Sequence, residues 1–473
     1  MKIPSAVTTI VFVFLLHCFS APPLAAQVDK ESQSLEYQLA LQRGTQAVIW
    51  GVPAVSMKAF FQSMQGLGAG YQDIVYVSKP FVSRHGFLTA NNNVPYVAVF
   101  LNTKDGPVVL DVPAASEKTV YFGSVLDMWQ TPIADVGPAG DDKGKGGKYL
   151  FLPPGYKGDV PDGYLVYRPK TYTLPVALRP VSRNGGTLEE AVEYAKSLRA
   201  YHLKNADNPQ PGKYIDAWSK VWDTLPVYDE SFFQTLAKVI NEEPVLERDL
   251  AMMGLLSGIG INKGLPFKPE GDTLAGLKQA VQTGYDILQD RFVTPGGALK
   301  LYGQGMHWMV INVDKQQAAE GFPFVTPDRL LVDERGILYF WATFLPKQLG
   351  GGSFYLMGLK DKTGDLLDGQ SLYRLRVPKD VPASEFWSAI AYSMKTKGFI
   401  ENAKLVGLSS QDKSLKANAD GTIDIYFGPK APKGMESNWV PTGEDFFLIF
   451  RLYGPSREVV EGKWTLNDVE KVK

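Results

Sequence analysis

Residues 446–453 read Phe-Phe-Leu-Ile-Phe-Arg-Leu-Tyr and are closed by Gly454-Pro455. A run that is apolar at odd and even positions alike has the pattern of a strand buried on both faces in the middle of a sheet. Arg451 interrupts it, and a charge there needs a partner, because an unpaired buried charge is very costly. Similar short runs recur on either side of a different kind of segment. Before Arg179 they are one opening at 91–96, then 106–113, 119–127, 148–153, 164–168 and 172–179. After Phe292 they are 352–360, 371–377, 386–394, 422–428 and 445–453. Their spacing of roughly 10–15 residues, punctuated by Gly and Pro, predicts antiparallel sandwiches or barrels.

Helical spacing occupies the rest. Leu35, Leu39, Ala47 and Ile49 predict a helix from 34 that stops at Trp50-Gly51-Val52-Pro53, where Gly and Pro end the periodicity. Thr187-Leu188-Glu189-Glu190 is a capping box, and apolar positions at helical spacing continue to Leu288. The expected organisation is an N-terminal signal over 1–26, a helix and first β domain over 27–186, a helical insert over 187–292, and a C-terminal β-sandwich over 293–473. The fold class is mainly β with a helical insert, built as two antiparallel β-sandwich or jelly-roll-like domains.

The first 26 residues fit a cleavable signal peptide: Lys2, an apolar stretch from Ile10 to Phe19, and the small-residue exit Ala25-Ala26. This address predicts a periplasmic or secreted protein. Its apolar core is shorter than the roughly 18 residues of a membrane span, so the chain is not expected to cross a membrane. Cys18 is the single cysteine, and if it leaves with the signal, thiol catalysis, disulfides and Cys-ligated metals leave with it. His17 makes a lipoprotein reading of Cys18 a poor fit. With 49 basic and 50 acidic residues, nothing in the charge favours nucleic acid.

Two sets of motifs then become specific. Tyr96, the run Gly106-Pro107-Val108-Val109-Leu110-Asp111-Val112-Pro113, and Asp127-Met128-Trp129 resemble domain-of-unknown-function family 1254. Residues 352–369, Phe386-Trp387-Ser388, Ile425-Tyr426-Phe427-Gly428-Pro429, Ser437-Asn438-Trp439 and Arg451-Leu452-Tyr453-Gly454-Pro455 resemble its usual companion, family 1214. The resemblance implies two mainly β domains with a helical insert, the second a jelly-roll-like sandwich of the kind seen in peptide-N-glycosidases. In the first family Asn-Asn-Asp-Thr is common before the motif Tyr. Here Asn93-Val94-Pro95 stand in the Asp-Thr-x places, so a role resting on that carboxylate does not carry over.

Candidate chemistry is sparse. His85, His202 and His307 are scattered, without the spacing of a metal site, and no cofactor or metal is implied. His202 reads as the end of a helix. His307 beside Trp308 reads as a hydrogen-bonded core histidine, with a ligand contact as the alternative. Asp361, Asp365 and Asp368 offer oxygens for Ca²⁺ but lack the ligand at twelve that a calcium loop needs, and a Gly-containing hairpin turn accounts for them. Glu436 and Asp127 are the candidate catalytic carboxylates; Trp439, Asn438, Trp129, Tyr96, Arg451 and His307 are the candidate binding residues. A carboxylate beside an aromatic plate is what sugar chemistry uses. The competing reading pairs Glu436 with Arg451 to fix a loop, with Trp439 in the core. Two functions follow: a hydrolase, glycosidase- or amidase-like, acting on a glycan or other polar small substrate, or a non-catalytic binding or assembly protein of the envelope. A homo-oligomer is compatible with both.

Overall fold

The computed structural model describes residues 34–210, 212–296, 299–312, 321–347 and 353–472. The expected signal segment lies outside these residues. Among them the chain forms two β-sandwiches with a layer of helices between, a mainly β, two-domain protein. The first sandwich pairs a six-stranded sheet, in spatial order 214–216, 74–76, 97–102, 173–182, 119–126 and 132–136, with a four-stranded sheet of 199–202, 108–112, 147–151 and 165–167. The second repeats the plan. Its six strands are 299–301, 308–311, 353–358, 446–455, 383–393 and 407–409, and its four are 439–441, 423–428, 373–377 and 470–471. Pairing is antiparallel except in four pairs that involve short strands.

Side-chain alternation explains the layering. In the Val97–Asn102 strand, Val97, Val99 and Leu101 enter the first sandwich core, while Ala98 and Phe100 enter the helical core. In the Phe446–Pro455 strand, Phe446, Leu448, Phe450 and Leu452 face the second sandwich, and Phe447 and Ile449 face the helices. Each six-stranded sheet is thus buried on both faces, as the apolar run at 446–453 requires. Phe450 and Leu452 leave Arg451 and Tyr453 together on the helix-facing side.

The helical layer centres on α1 (Leu35–Gly66), which packs on α3 (Ser231–Glu242), α4 (Leu250–Ser257), α5 (Gly271–Val293) and α6 (Val332–Trp341). Here the structure corrects the expected stop at Gly51-Pro53: α1 runs on to Gly66 with Pro53 inside it. Proline lacks the N–H that would bond the Ile49 carbonyl, and α6 fills the gap. Gly336 lies so close that a Cβ would stand 2.6 Å from that oxygen, and Arg335 donates to the Trp50 carbonyl at 3.0 Å. No helix among the described residues is long and apolar enough to cross a membrane.

The 187–292 segment is less purely helical than its periodicity predicts. Thr187 and Glu190 do form a reciprocal capping box on α2 (Leu188–Ala195). Short strands at 199–202, 214–216 and 222–223 follow, and each pairs with a strand of the first domain. His202 therefore ends a strand, not a helix. Beyond Phe292, Ile337–Trp341 has a strand-like run but lies in α6, where Asp333 and Glu334 suit the positive helix end.

Candidate functional site

The sequence-derived residues fall into separate places. Glu436 is exposed in a short turn and accepts from the Gly434 N–H at 3.0 Å. Backbone N–H donors, with its own first, hold its carboxyl below the usual range, the opposite of a general acid. Asn438 is wholly buried, accepting from the Lys416 N–H and donating to the Lys416 and Asp424 carbonyls. The Trp439 indole N–H donates to the Gly428 carbonyl. These three residues order the loop. His307 Nδ1 lies 3.0 Å from Asp468, whose other oxygen accepts the His307 N–H. Asp361 and Asp368 accept mainly from donors of their own turns, and that turn joins strands of the two sheets of the sandwich.

Asp127 and Trp129 meet Trp50 in a second, fully buried cluster. Asp127 accepts from the Trp129 and Thr131 N–H groups at 2.9 and 2.8 Å, and burial pushes its carboxyl up against the pull of Arg248. The Trp50 and Trp129 rings are 4.5 Å apart, and the Trp50 indole donates to Asp249. Arg335 lies over Trp129, and burial, with Arg248 adding to it, brings Arg335 down to about 10. Arg248 and Asp249 pair at 3.5 Å, and Trp50, Trp129 and Asp249 line a cavity of about 10 Å³, room for about one water. This is a joint between α1, α4, α6 and the first sandwich, too small for a substrate.

Arg451 and Tyr96 belong to a third cluster, at the contact of the two domains. Arg451 is 1% exposed. Its guanidinium donates to the Tyr392 hydroxyl and to the Thr89 carbonyl, both at 2.6 Å, so its partners are a phenol and a carbonyl, not Glu436. The Tyr392 hydroxyl in turn donates to the Ala90 carbonyl. Register places Tyr355 directly beside Arg451 and Ser353 beside Tyr453, all on one sheet face. Arg451 lies over the Tyr355 ring at 4.9 Å. From the first domain, Arg179 follows Leu174, Val176 and Leu178, which fill the sandwich, and so emerges on the opposite face of its strand. It reaches the Tyr355 hydroxyl, which also bonds Ser353.

The 89–96 turn closes this cluster. Thr89 is held at φ 41°, which is unusual for a β-branched residue. Its N–H donates to the Lys397 carbonyl, its hydroxyl to the Trp341 carbonyl, and its own carbonyl serves Arg451. Asn91 bonds the Tyr453 hydroxyl, and its N–H donates to the Tyr96 hydroxyl. The side-chain oxygens of Asn92 and Asn93, and Arg451 Nε, are enclosed without a protein partner.

Two guanidiniums therefore face the same pair of phenols, Tyr355 and Tyr453, and among the described residues no carboxylate pairs with either. Burial raises the Tyr355 hydroxyl, but Arg179 and Arg451 outweigh it and bring it down to about 8. Burial pushes the Tyr392 and Tyr453 hydroxyls up instead. Tyr96, Arg179, Tyr355 and Tyr453 all remain half-buried, so the cluster opens to solvent. Sequence reasoning found Arg451 and Tyr96 and missed the others. The signal was present: Ser353-x-Tyr355 and Arg451-x-Tyr453 put polar residues two apart in strands otherwise apolar, which places them on one face.

Comparison with known proteins fits this division. Residues 73–202 match the family described as protein of unknown function (DUF1254), and residues 352–457 match protein of unknown function (DUF1214), the pairing that the motifs implied. No curated protein matches the chain. A crystal structure of a Vibrio parahaemolyticus protein is 18% identical with a TM-score of 0.54, over 93% of this chain and 100% of that one, which supports a shared fold. A Burkholderia cenocepacia protein is 10% identical with a TM-score of 0.39, over 93% of this chain and 96% of that one. Thr89, Asn91, Tyr96 and Arg179 lie in the first matched segment; Tyr355, Tyr392, Arg451 and Tyr453 lie in the second.

Proposed function

We propose that a chain joining a DUF1254 segment to a DUF1214 segment does so to build one anion site between them, and that it binds a small acidic ligand there. The observation that carries this reading is that Arg179 and Arg451 face the same phenols, Tyr355 and Tyr453, with no carboxylate among the described residues paired to either. Guanidiniums held in a half-buried cleft favour an oxyanion, because the planar fork matches carboxylate, sulfate and phosphate oxygens. The enclosed Asn92 and Asn93 oxygens supply acceptors for ligand hydroxyls, and the phenol rings supply flat apolar faces. The signal-like N-terminus supports action in the periplasm or outside the cell.

The geometry favours binding over hydrolysis by two carboxylates, which needs an acid and a base facing one bond. Asp127 is sealed in the Trp50 joint, and Glu436 is exposed on the loop before the 439–441 strand. Titration calorimetry with sugar acids, dicarboxylates and sulfate against neutral sugars tests the reading. Acidic ligands are expected to bind and neutral ones not, with Arg179→Met losing at least tenfold in affinity. Equal affinity in the wild type and Arg179→Met would remove the site from this cleft.

A further inference from the structure

We propose that the ligand of this cleft is a phosphate monoester, one tetrahedral group carrying two negative charges, on a hydroxylated carrier. The inference rests on the anion reading above and names its ligand class.

Charge sets the first condition. A guanidinium does not lose its proton in a protein, so Arg179 and Arg451 hold two positive charges at any working pH. Their facing groups are phenols: Tyr355, Tyr96 and Tyr453 for Arg179, and Tyr392, Tyr453 and Tyr355 for Arg451. Burial keeps Tyr392 and Tyr453 protonated, and Tyr355, at about 8, is mostly protonated at neutral pH. A carboxylate or a sulfate ester brings one negative charge and leaves one enclosed cation uncompensated, which is costly. A phosphate monoester brings two at neutral pH, because its second proton leaves at about pH 6.

Geometry sets the second condition. Tyr355 and Tyr453 are common to both guanidiniums, which therefore converge on one place. One doubly charged group meets that arrangement, whereas a dicarboxylate divides its charges between two places. The supply of donors sets the third. The Tyr96 hydroxyl accepts the Asn91 N–H, and the Tyr453 hydroxyl accepts the Asn91 side-chain nitrogen. A phenol oxygen occupied in this way still has its own proton to give. Arg451 Nε, on a side chain that is 1% exposed, is enclosed with no protein partner. A phosphoryl group offers such donors three strong acceptor oxygens. The Asn92 and Asn93 oxygens remain for the hydroxyls of the carrier.

Calorimetry on the whole protein compares glucose 6-phosphate with glucose 6-sulfate, which share the sugar and the tetrahedral group and differ by one charge. At pH 7 the phosphate should bind about tenfold tighter or more. Lowering the pH to 5 leaves the phosphate with a single charge, and its affinity should fall toward that of the sulfate ester. The sulfate ester keeps one charge throughout, so it reports any titration of the protein itself. Succinate, with its two charges on separate carboxylates, should bind more weakly than glucose 6-phosphate. In Arg179→Met the gap between the two esters should narrow, which the loss of a merely structural arginine would not bring about. The ester comparison needs only the wild type, so a variant that folds poorly does not weaken it. Equal affinity of the two esters at pH 7, a phosphate advantage undiminished at pH 5, or succinate binding as tightly as glucose 6-phosphate overturns the proposal and leaves the anion site standing. Failure of both esters and succinate to bind at pH 7 overturns the anion reading and this inference with it.

Discussion

At the scale of single residues, what decides behaviour is whether a buried charge has a partner. Lys397 is 1% exposed and sits at 4.7 and 4.5 Å from the Phe292 and Phe340 rings, with Gln289 and the Met394 carbonyl as its acceptors. Burial alone lowers its amine from 10.5 to about 7. Between those values the unfolded chain holds a proton that the folded one has released, so this group makes stability rise with pH, by up to about 1.4 kcal/mol per unit. Below about pH 7 both states hold the proton, and the cost of burying the charge is then at its fullest. Lys397→Met should flatten that rise and be more stable than the wild type at pH 6, as urea midpoints at pH 6 and 9 would show. Arg451 behaves differently, because two of its nitrogens are bonded, to Tyr392 and to Thr89. Arg451→Met orphans the Thr89 carbonyl, and a loss of about 1–3 kcal/mol is expected. That is below the cost of breaking a buried ion pair, about 3–5 kcal/mol, because no carboxylate is stranded. A loss of 4 kcal/mol or more in chemical denaturation would mean a partner charge exists.

At the scale of elements, closeness of approach governs the helical layer. A Cβ on Gly276 would stand 2.5 Å from the Tyr37 carbonyl, and one on Gly284 would meet Val48 at 2.7 Å, so α1 and α5 touch through their glycines. Gly336 fits the gap left by Pro53 in the same way. Gly336→Ala should separate α6 from α1 at a cost of about 1–3 kcal/mol, and an unchanged denaturation midpoint would show that the contact yields freely. These contacts also explain what could be read beforehand. Strands such as 423–428 and 446–455 were legible because alternation and turn residues are local properties. Gly51 and Pro53 misled because a stop signal in sequence is overruled when Arg335 and Gln130 supply donors to the carbonyls around it. Ile337–Trp341, a short run buried all round, carries no period by which to tell helix from strand. The candidate site was half legible: Arg451 stood out as a charge in an apolar strand, but Thr89 joins it only across 362 residues of chain and Arg179 comes from the other domain.

At the scale of the whole molecule, neither sandwich is closed without the helices. The second sandwich presents Met357, Ile390, Tyr392, Phe447 and Ile449 to the helical core. A fragment beginning at residue 353 would expose that face, and contiguous apolar surface of this kind leads to association. Such a fragment is expected to aggregate or bind a hydrophobic dye, whereas the whole chain stays monodisperse; a soluble, well-dispersed fragment by NMR would contradict this. One strained residue ties three elements together where the two domains meet. Thr89 bonds the hairpin at Lys397, helix α6 at Trp341 and the sheet at Arg451. No one of those links can lengthen without the other two. The 89–96 turn therefore cannot loosen by degrees: it lets go only in rare, concerted excursions that release all three links together. Its Thr89 amide should exchange with deuterium as slowly as the strand interiors do, although it sits in a turn.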